Sequence, residues 1–96
     1  MVDSYSFGQI IFSKAGKDKG KPFVIVGIED EFVYIADGKL RTIDKPKLKK
    51  MKHIQPTKVI AQNLTHKLTQ GDKITNSDLK EALENYLNGN LIEGGL

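Results

Sequence analysis

The period of the hydrophobic positions changes near the middle of the chain. Gln9–Ser13 (QIIFS) and Phe23–Ile28 (FVIVGI) are short runs of β-branched and aromatic residues, the composition of strands. Phe32–Ala36 (FVYIA) is a third such run, following the acidic stretch Glu29–Glu31. Asp37-Gly38 is a strong turn signal, because the pair readily supplies the positive φ angles of a tight hairpin. It predicts a returning strand over Leu40–Ile43 (LRTI), with Leu40 and Thr42 on one face and Arg41 and Ile43 on the other. Asp44–Lys50 then reads as a charged loop broken by Pro46, and Met51–Gln55 (MKHIQ) as a short closing edge strand bounded by Pro56. Five short strands within the first 55 residues predict a small, strongly bent antiparallel barrel, since a flat sheet could not bury these faces.

Beyond that point apolar residues recur at helical spacing. Within Pro56–Gln70, Ile60, Leu64 and Leu68 fall at four-residue steps with Ala61 beside them, and Gly71-Asp72 closes the segment. A second helix is announced by Thr75-Asn76-Ser77-Asp78, in which Thr75 and Asp78 have capping-box spacing and Ser77 is another cap candidate. Leu79, Ala82, Leu83, Tyr86 and Leu87 would line one face of it, and Asn88-Gly89 would end it. The pair forms an αα-hairpin, while the aperiodic Asn90–Leu96 (NLIEGGL) is expected to fray. The expected organisation is mostly β with an α appendage: a barrel over residues 1–55, then a helical hairpin and tail over 56–96.

Composition narrows the chemistry. The 96 residues include no cysteine, which excludes a disulfide framework, a thiolate zinc site, an iron–sulfur cluster and a cysteine nucleophile. Two histidines are too few for an all-histidine metal site though not for one mixed with carboxylates, and neither a metal nor a cofactor is expected. No run of 18 apolar residues would span a membrane, and the acidic first residues lack the basic n-region of a signal peptide. The expected address is the cytoplasm. Carboxylates that could pair, Asp18 with Asp37 or Glu29 with Glu31, lie in turns, where acids serve local hydrogen bonding. No nucleophile-elbow sequence occurs, and neither an enzyme nor a small-molecule substrate is expected.

Charge is uneven. The net value is only +3, yet residues 39–58 carry seven lysines and Arg41 against Asp44 alone, while both flanking segments are slightly acidic. A central basic band between acidic ends points to a polyanionic partner better than the isoelectric point does. Arg41, Lys45, Lys47, Lys49, Lys50 and Lys52 are its candidate phosphate contacts, with His53 as a weaker one. About five such contacts would give a log–log salt slope of roughly −4. A second basic cluster lies in Lys14–Phe23 (KAGKDKGKPF), where Lys14, Lys17, Lys19 and Lys21 crowd a loop held by Gly16 and Gly20. It is not a P-loop. Only three residues separate the glycines, and Pro22 stands where a metal-binding hydroxyl is required.

From Gly8 through Ile28 the string GQIIFSKAGKDKGKPFVIVGI resembles a KOW motif: an opening glycine, an apolar strand, a basic G-x-x-x-G loop and a second apolar strand. Phe23 stands where the commonest version has a further glycine, a departure shared with the fourteenth large-subunit ribosomal protein of eukaryotes and archaea. Ile35–Gly38 (IADG) and the lysine-rich stretch that follows extend the likeness to about Ile54, a little over half the chain. The sequence is similar to the short bacterial KOW-domain RNA-binding proteins grouped with those ribosomal proteins. The resemblance implies an SH3-like barrel and an RNA partner, ribosomal RNA in particular, with association to the ribosome or translation. It also leaves open an adaptor that docks on proteins of the translation or transcription machinery. Phe12, Phe23, Phe32 and Tyr34 are the barrel's aromatics and are expected mainly in the core, so contact with backbone and folded RNA shape is favoured over base reading. The ITNSDLKEAL stretch has too few cations beside Asp78, Glu81 and Glu84 to enter a DNA major groove, and His66 is expected as an exposed polar residue.

Overall fold

A computed structural model describes residues 5–89. Five strands, β1 (Gln9–Ser13), β2 (Pro22–Glu29), β3 (Phe32–Ala36), β4 (Lys47–Lys50) and β5 (Ile54–Ile60), form one antiparallel sheet in the order β4-β3-β2-β1-β5. Two helices follow, α1 (Gln62–Gln70) and α2 (Asn76–Leu87). Residues 90–96, expected to fray, lie outside the described residues.

The sheet curls strongly. If it were flat, four inter-strand steps of about 4.8 Å would hold its edge strands about 19 Å apart. Yet β4 and β5 are the two edges, and only the single 3₁₀ turn Met51–His53 joins them, a segment rising about 2 Å per residue. Register shifts supply the extra twist, one in β5 between Pro56 and Ile60 opposite Gln9 and Ile11, the other in β2 between Ile25 and Gly27. Among the described residues no ladder joins β4 to β5.

Both faces of the sheet are buried over β1 and β2. Ile11, Phe23, Ile25, Val33, Ile35 and Ile54 fill the concave side. Ile10, Val24 and Ala36 point the other way and pack with Val59, Ala61, Leu64, Leu79, Ala82 and Leu83 beneath the helices. Burial on two sides explains why β1 and β2 read as continuous apolar runs instead of alternating ones.

Three expected elements fall elsewhere. Asp37-Gly38 does turn the chain, but Leu40–Ile43 is not a strand. The turn closes on itself through Asp37 and Gly38 N–H donated to the Arg41 carbonyl, at 2.9 and 3.0 Å. Asp37 Oδ1 also accepts the Lys39 and Arg41 amides. Gly38 has φ +83°, and a Cβ there would lie 2.5 Å from the Asn76 carbonyl oxygen. Only glycine lets this turn rest on the start of α2, and Ile43 N–H then bonds Asn76 Oδ1 at 2.8 Å. The strand that pairs with β3 is instead Lys47–Lys50, within the segment expected as a loop. The expected closing strand Met51–Gln55 begins only at Ile54 and continues to Ile60, so Pro56–Ile60 is strand and the first helix starts at Gln62. Pairing with β1 outweighs the four-residue apolar spacing here. Thr57 Oγ1 donates to the Ile10 carbonyl at 2.7 Å and accepts Val59 N–H at 3.1 Å, fixing the strand beside the irregular register.

The ends of the helices follow the sequence. α1 stops at Gly71 in a left-handed conformation. α2 carries a full capping box between Thr75 and Asp78. Lys67 Nζ donates to Asp78 Oδ2 at 2.9 Å, and Thr75 N–H and Oγ1 donate to the same oxygen. The Lys67 hydrogen bond, with those from Thr75, holds the Asp78 carboxyl below its ordinary range against the opposing effect of burial. A carboxyl whose folded pKa is depressed stabilises fully above its unfolded value and loses that contribution as pH falls through the folded one. Lys67→Gln is therefore expected to cost about 1 kcal/mol at neutral pH and less in acid. Urea denaturation at pH 7 and pH 3 checks this: the gap between wild type and variant should narrow at the lower pH. A gap that is constant with pH would remove Lys67 as the cause.

Candidate nucleic-acid interface

The Lys14–Lys21 loop leaves β1 and returns as β2, with Gly16 and Gly20 at positive φ. Gly20 N–H bonds the Ser13 carbonyl at 2.8 Å, and Lys21 N–H bonds the Asp18 carbonyl at 2.9 Å, so the loop is folded on itself. It is also tied to the basic band. Lys14 N–H donates to the His53 carbonyl at 2.8 Å, placing the start of the loop beside the 3₁₀ turn. Lys49 Nζ donates to the Ala15 carbonyl at 2.8 Å. Asp18, in the middle of the loop, is buried and pairs with Arg41 Nη2 at 3.2 Å and Lys47 Nζ at 3.9 Å.

These contacts bring the two basic segments together at one end of the sheet and sort their cations. The β4 register pairs Lys47 with Ile35 and Lys49 with Val33, both concave-side residues. Their stems therefore extend the apolar surface, and their ammonium groups reach the rim. Lys49 is 8% exposed, and its ammonium has an internal partner. Arg41 and Lys47 neutralise Asp18. Lys14, Lys17, Lys19, Lys21, Lys45, Lys50, Lys52 and His53 are exposed. Among the described residues none of these has a carboxylate within ion-pair distance. Lys50 stands apart from the loop: it lies at the far end of β4 with its Nζ 5.9 Å from the centre of the Phe32 ring, and the neighbouring Met51 N–H bonds the Glu31 carbonyl.

Asp18 is the residue that sequence reasoning missed. An acid amid four lysines reads as a turn former or a local charge offset, and nothing in the string shows that Arg41 and Lys47 come to it. The aromatics divide as well. Phe23 is core, whereas Phe12 is half-buried 6.0 Å from the Tyr86 ring. Phe32 and Tyr34 are half-buried on the outer face, where the Tyr34 hydroxyl donates to Glu29 at 2.7 Å. That hydrogen bond to a carboxylate pushes the Tyr34 phenol pKa up.

Among the described residues no cluster of three or more histidines and carboxylates could hold a metal ion. No helix there is long and apolar enough to cross a membrane. Compared with protein-family models and with curated proteins, the chain matches none.

Proposed function

We propose that this chain is an RNA-binding module of the KOW type, its curled sheet an SH3-like barrel, that holds structured RNA through the phosphate backbone. Ribosomal RNA is the target class, in keeping with the resemblance of Gly8–Ile54 to ribosomal KOW proteins. One observation carries the reading: exposed lysines without carboxylate partners surround a glycine-hinged loop docked on a basic band. Such an arrangement costs electrostatic self-repulsion in the free protein, and an external polyanion relieves it. Lys14, Lys17, Lys19, Lys21 and Lys45 supply the contacts, with Lys52 and His53 on the adjoining 3₁₀ turn and Lys50 at the far end of β4 extending the surface. Arg41, Lys47 and Lys49 act differently from the rest: they hold the loop in place. With the lysines acting as point charges, the contacts position RNA without reading its sequence.

The experiment is filter binding to a ribosomal RNA fragment across a salt series. Five phosphate contacts predict a fall in affinity of about 100- to 500-fold between 50 and 200 mM monovalent salt, the range spanning single strands and duplex. A flat response would remove the phosphate contacts. Absence of RNA affinity near physiological salt, with recovery of a protein partner, would favour an adaptor of the translation or transcription machinery instead.

A further inference from the structure

Behind the loop, α2 and the sheet leave a groove of about 220 Å³ with a mostly apolar lining. Lys80, Leu83, Glu84 and Leu87 present one face of α2 to it, and Lys21, Pro22, Asp37 and Lys39 form the opposite wall. The wall stands close because Gly38 lets its turn rest on Asn76 and on the Lys80 stem. Leu83 is buried, whereas Leu87 is 61% exposed, more than a helix residue completing a core would be. Lys21, Lys39 and Lys80 surround this apolar surface. Of the two acids, Asp37 accepts the Lys39 and Arg41 amides through Oδ1, and Glu84 has no ion pair among the described residues.

We propose that this groove receives one unpaired nucleotide of the bound RNA, its base against Pro22, Leu83 and Leu87 and its flanking phosphates on Lys21, Lys39 and Lys80. The inference rests on the RNA-binding reading and deepens it. The groove asks for a ligand with a flat apolar face, a polar edge and adjoining negative charge. A hydrocarbon would leave three lysines without partners, and a small inorganic anion would leave the leucines uncovered. A base within a duplex has its faces stacked and inaccessible, whereas an unpaired one offers them. Lys21 belongs to the proposed backbone-binding loop and to this groove, so a strand held by the loop passes directly to it. The helical hairpin thereby becomes part of the RNA surface.

Two RNA hairpins, identical except for one unpaired 2-aminopurine in the stem, separate this inference from the reading beneath it. The wild-type protein is expected to bind the bulged hairpin about tenfold more tightly than the closed one, the effect of burying roughly 60 Å² of apolar surface, and to change the probe's emission. Leu87→Ser, at an exposed position, should abolish that preference while keeping affinity for the closed hairpin. Lys39→Gln with Lys80→Gln should reduce the preference as well. Equal binding of both hairpins by the wild type, or a preference that survives Leu87→Ser, overturns the groove and leaves backbone binding standing. Failure to bind either hairpin overturns both. An acidic amphipathic peptide that occupies the groove while both hairpins bind equally would assign it to a protein partner and likewise overturn the proposal.

Discussion

Lys49→Glu is expected to cost about 4 kcal/mol of folding stability, although it changes one lysine in a lysine-rich strand. The ammonium is 8% exposed and bonds the Ala15 carbonyl. A carboxylate there loses the bond to the Ala15 carbonyl, faces that oxygen instead, and adds negative charge beside the loop that holds buried Asp18. A domain of this size has only about 5–14 kcal/mol in all, so the variant should be conspicuously unstable. Lys50→Glu is the matched control. Lys50 is the next residue, on the opposite face and exposed, and its change should cost no more than about 1 kcal/mol, including its contact with Phe32. Urea denaturation of the pair decides the matter, and equal losses would remove the internal role of Lys49.

The second large effect concerns binding. Reversing Lys14, Lys17 and Lys45 to glutamate is expected to lower RNA affinity by at least about 100-fold at 0.15 M salt. A slope of about −0.9 per contact corresponds to about fivefold per phosphate between 0.15 and 1 M salt, so three lost contacts multiply to that figure before repulsion is counted. All three side chains are exposed and, among the described residues, free of ion pairs, so circular dichroism and the denaturation midpoint should stay close to wild type. Lys58→Glu with Lys73→Glu, exposed positions on β5 and between the helices, serves as the control for net charge. It should reduce affinity only several-fold. A comparable loss per reversed charge in both sets would reduce the site to nonspecific charge.

The two basic clusters were both legible as strings of lysines, but not the division of labour within them. Lys47, Lys49 and Lys50 are one residue type in one tetrapeptide, yet two turn inward and one outward, because alternation along β4 assigns them to opposite faces. Without knowing that the segment is a strand, that difference is invisible. Its charge and Pro46 make Asp44–Lys50 read as a loop, yet charged side chains are also what guards the free ladder of an edge strand, so charge is a weak guide there. Asp37-Gly38 turns the chain without starting a hairpin. Local φ preferences locate a turn, whereas what the returning chain pairs with depends on Asn76, more than thirty residues later, holding Ile43.

By itself the sequence determined β1, β3, the body of β2, both helix stops and the Thr75–Asp78 cap. In each of these, local propensity, burial pattern and side-chain hydrogen bonding act over a few residues and agree. It also determined that the positive charge concentrates in two segments, the glycine-hinged Lys14–Lys21 loop and residues 39–58, whose meeting at one end of the sheet was left to tertiary contacts. Tertiary structure alone decided that Pro56–Ile60 is strand, that Lys47–Lys50 is the edge strand beside β3, and that the helices share a core with β1, β2 and β3. It alone turned Asp18 from one acid among lysines into the anchor of the loop. These outcomes depend on pairings between residues distant in the chain, whose energies local propensity does not contain.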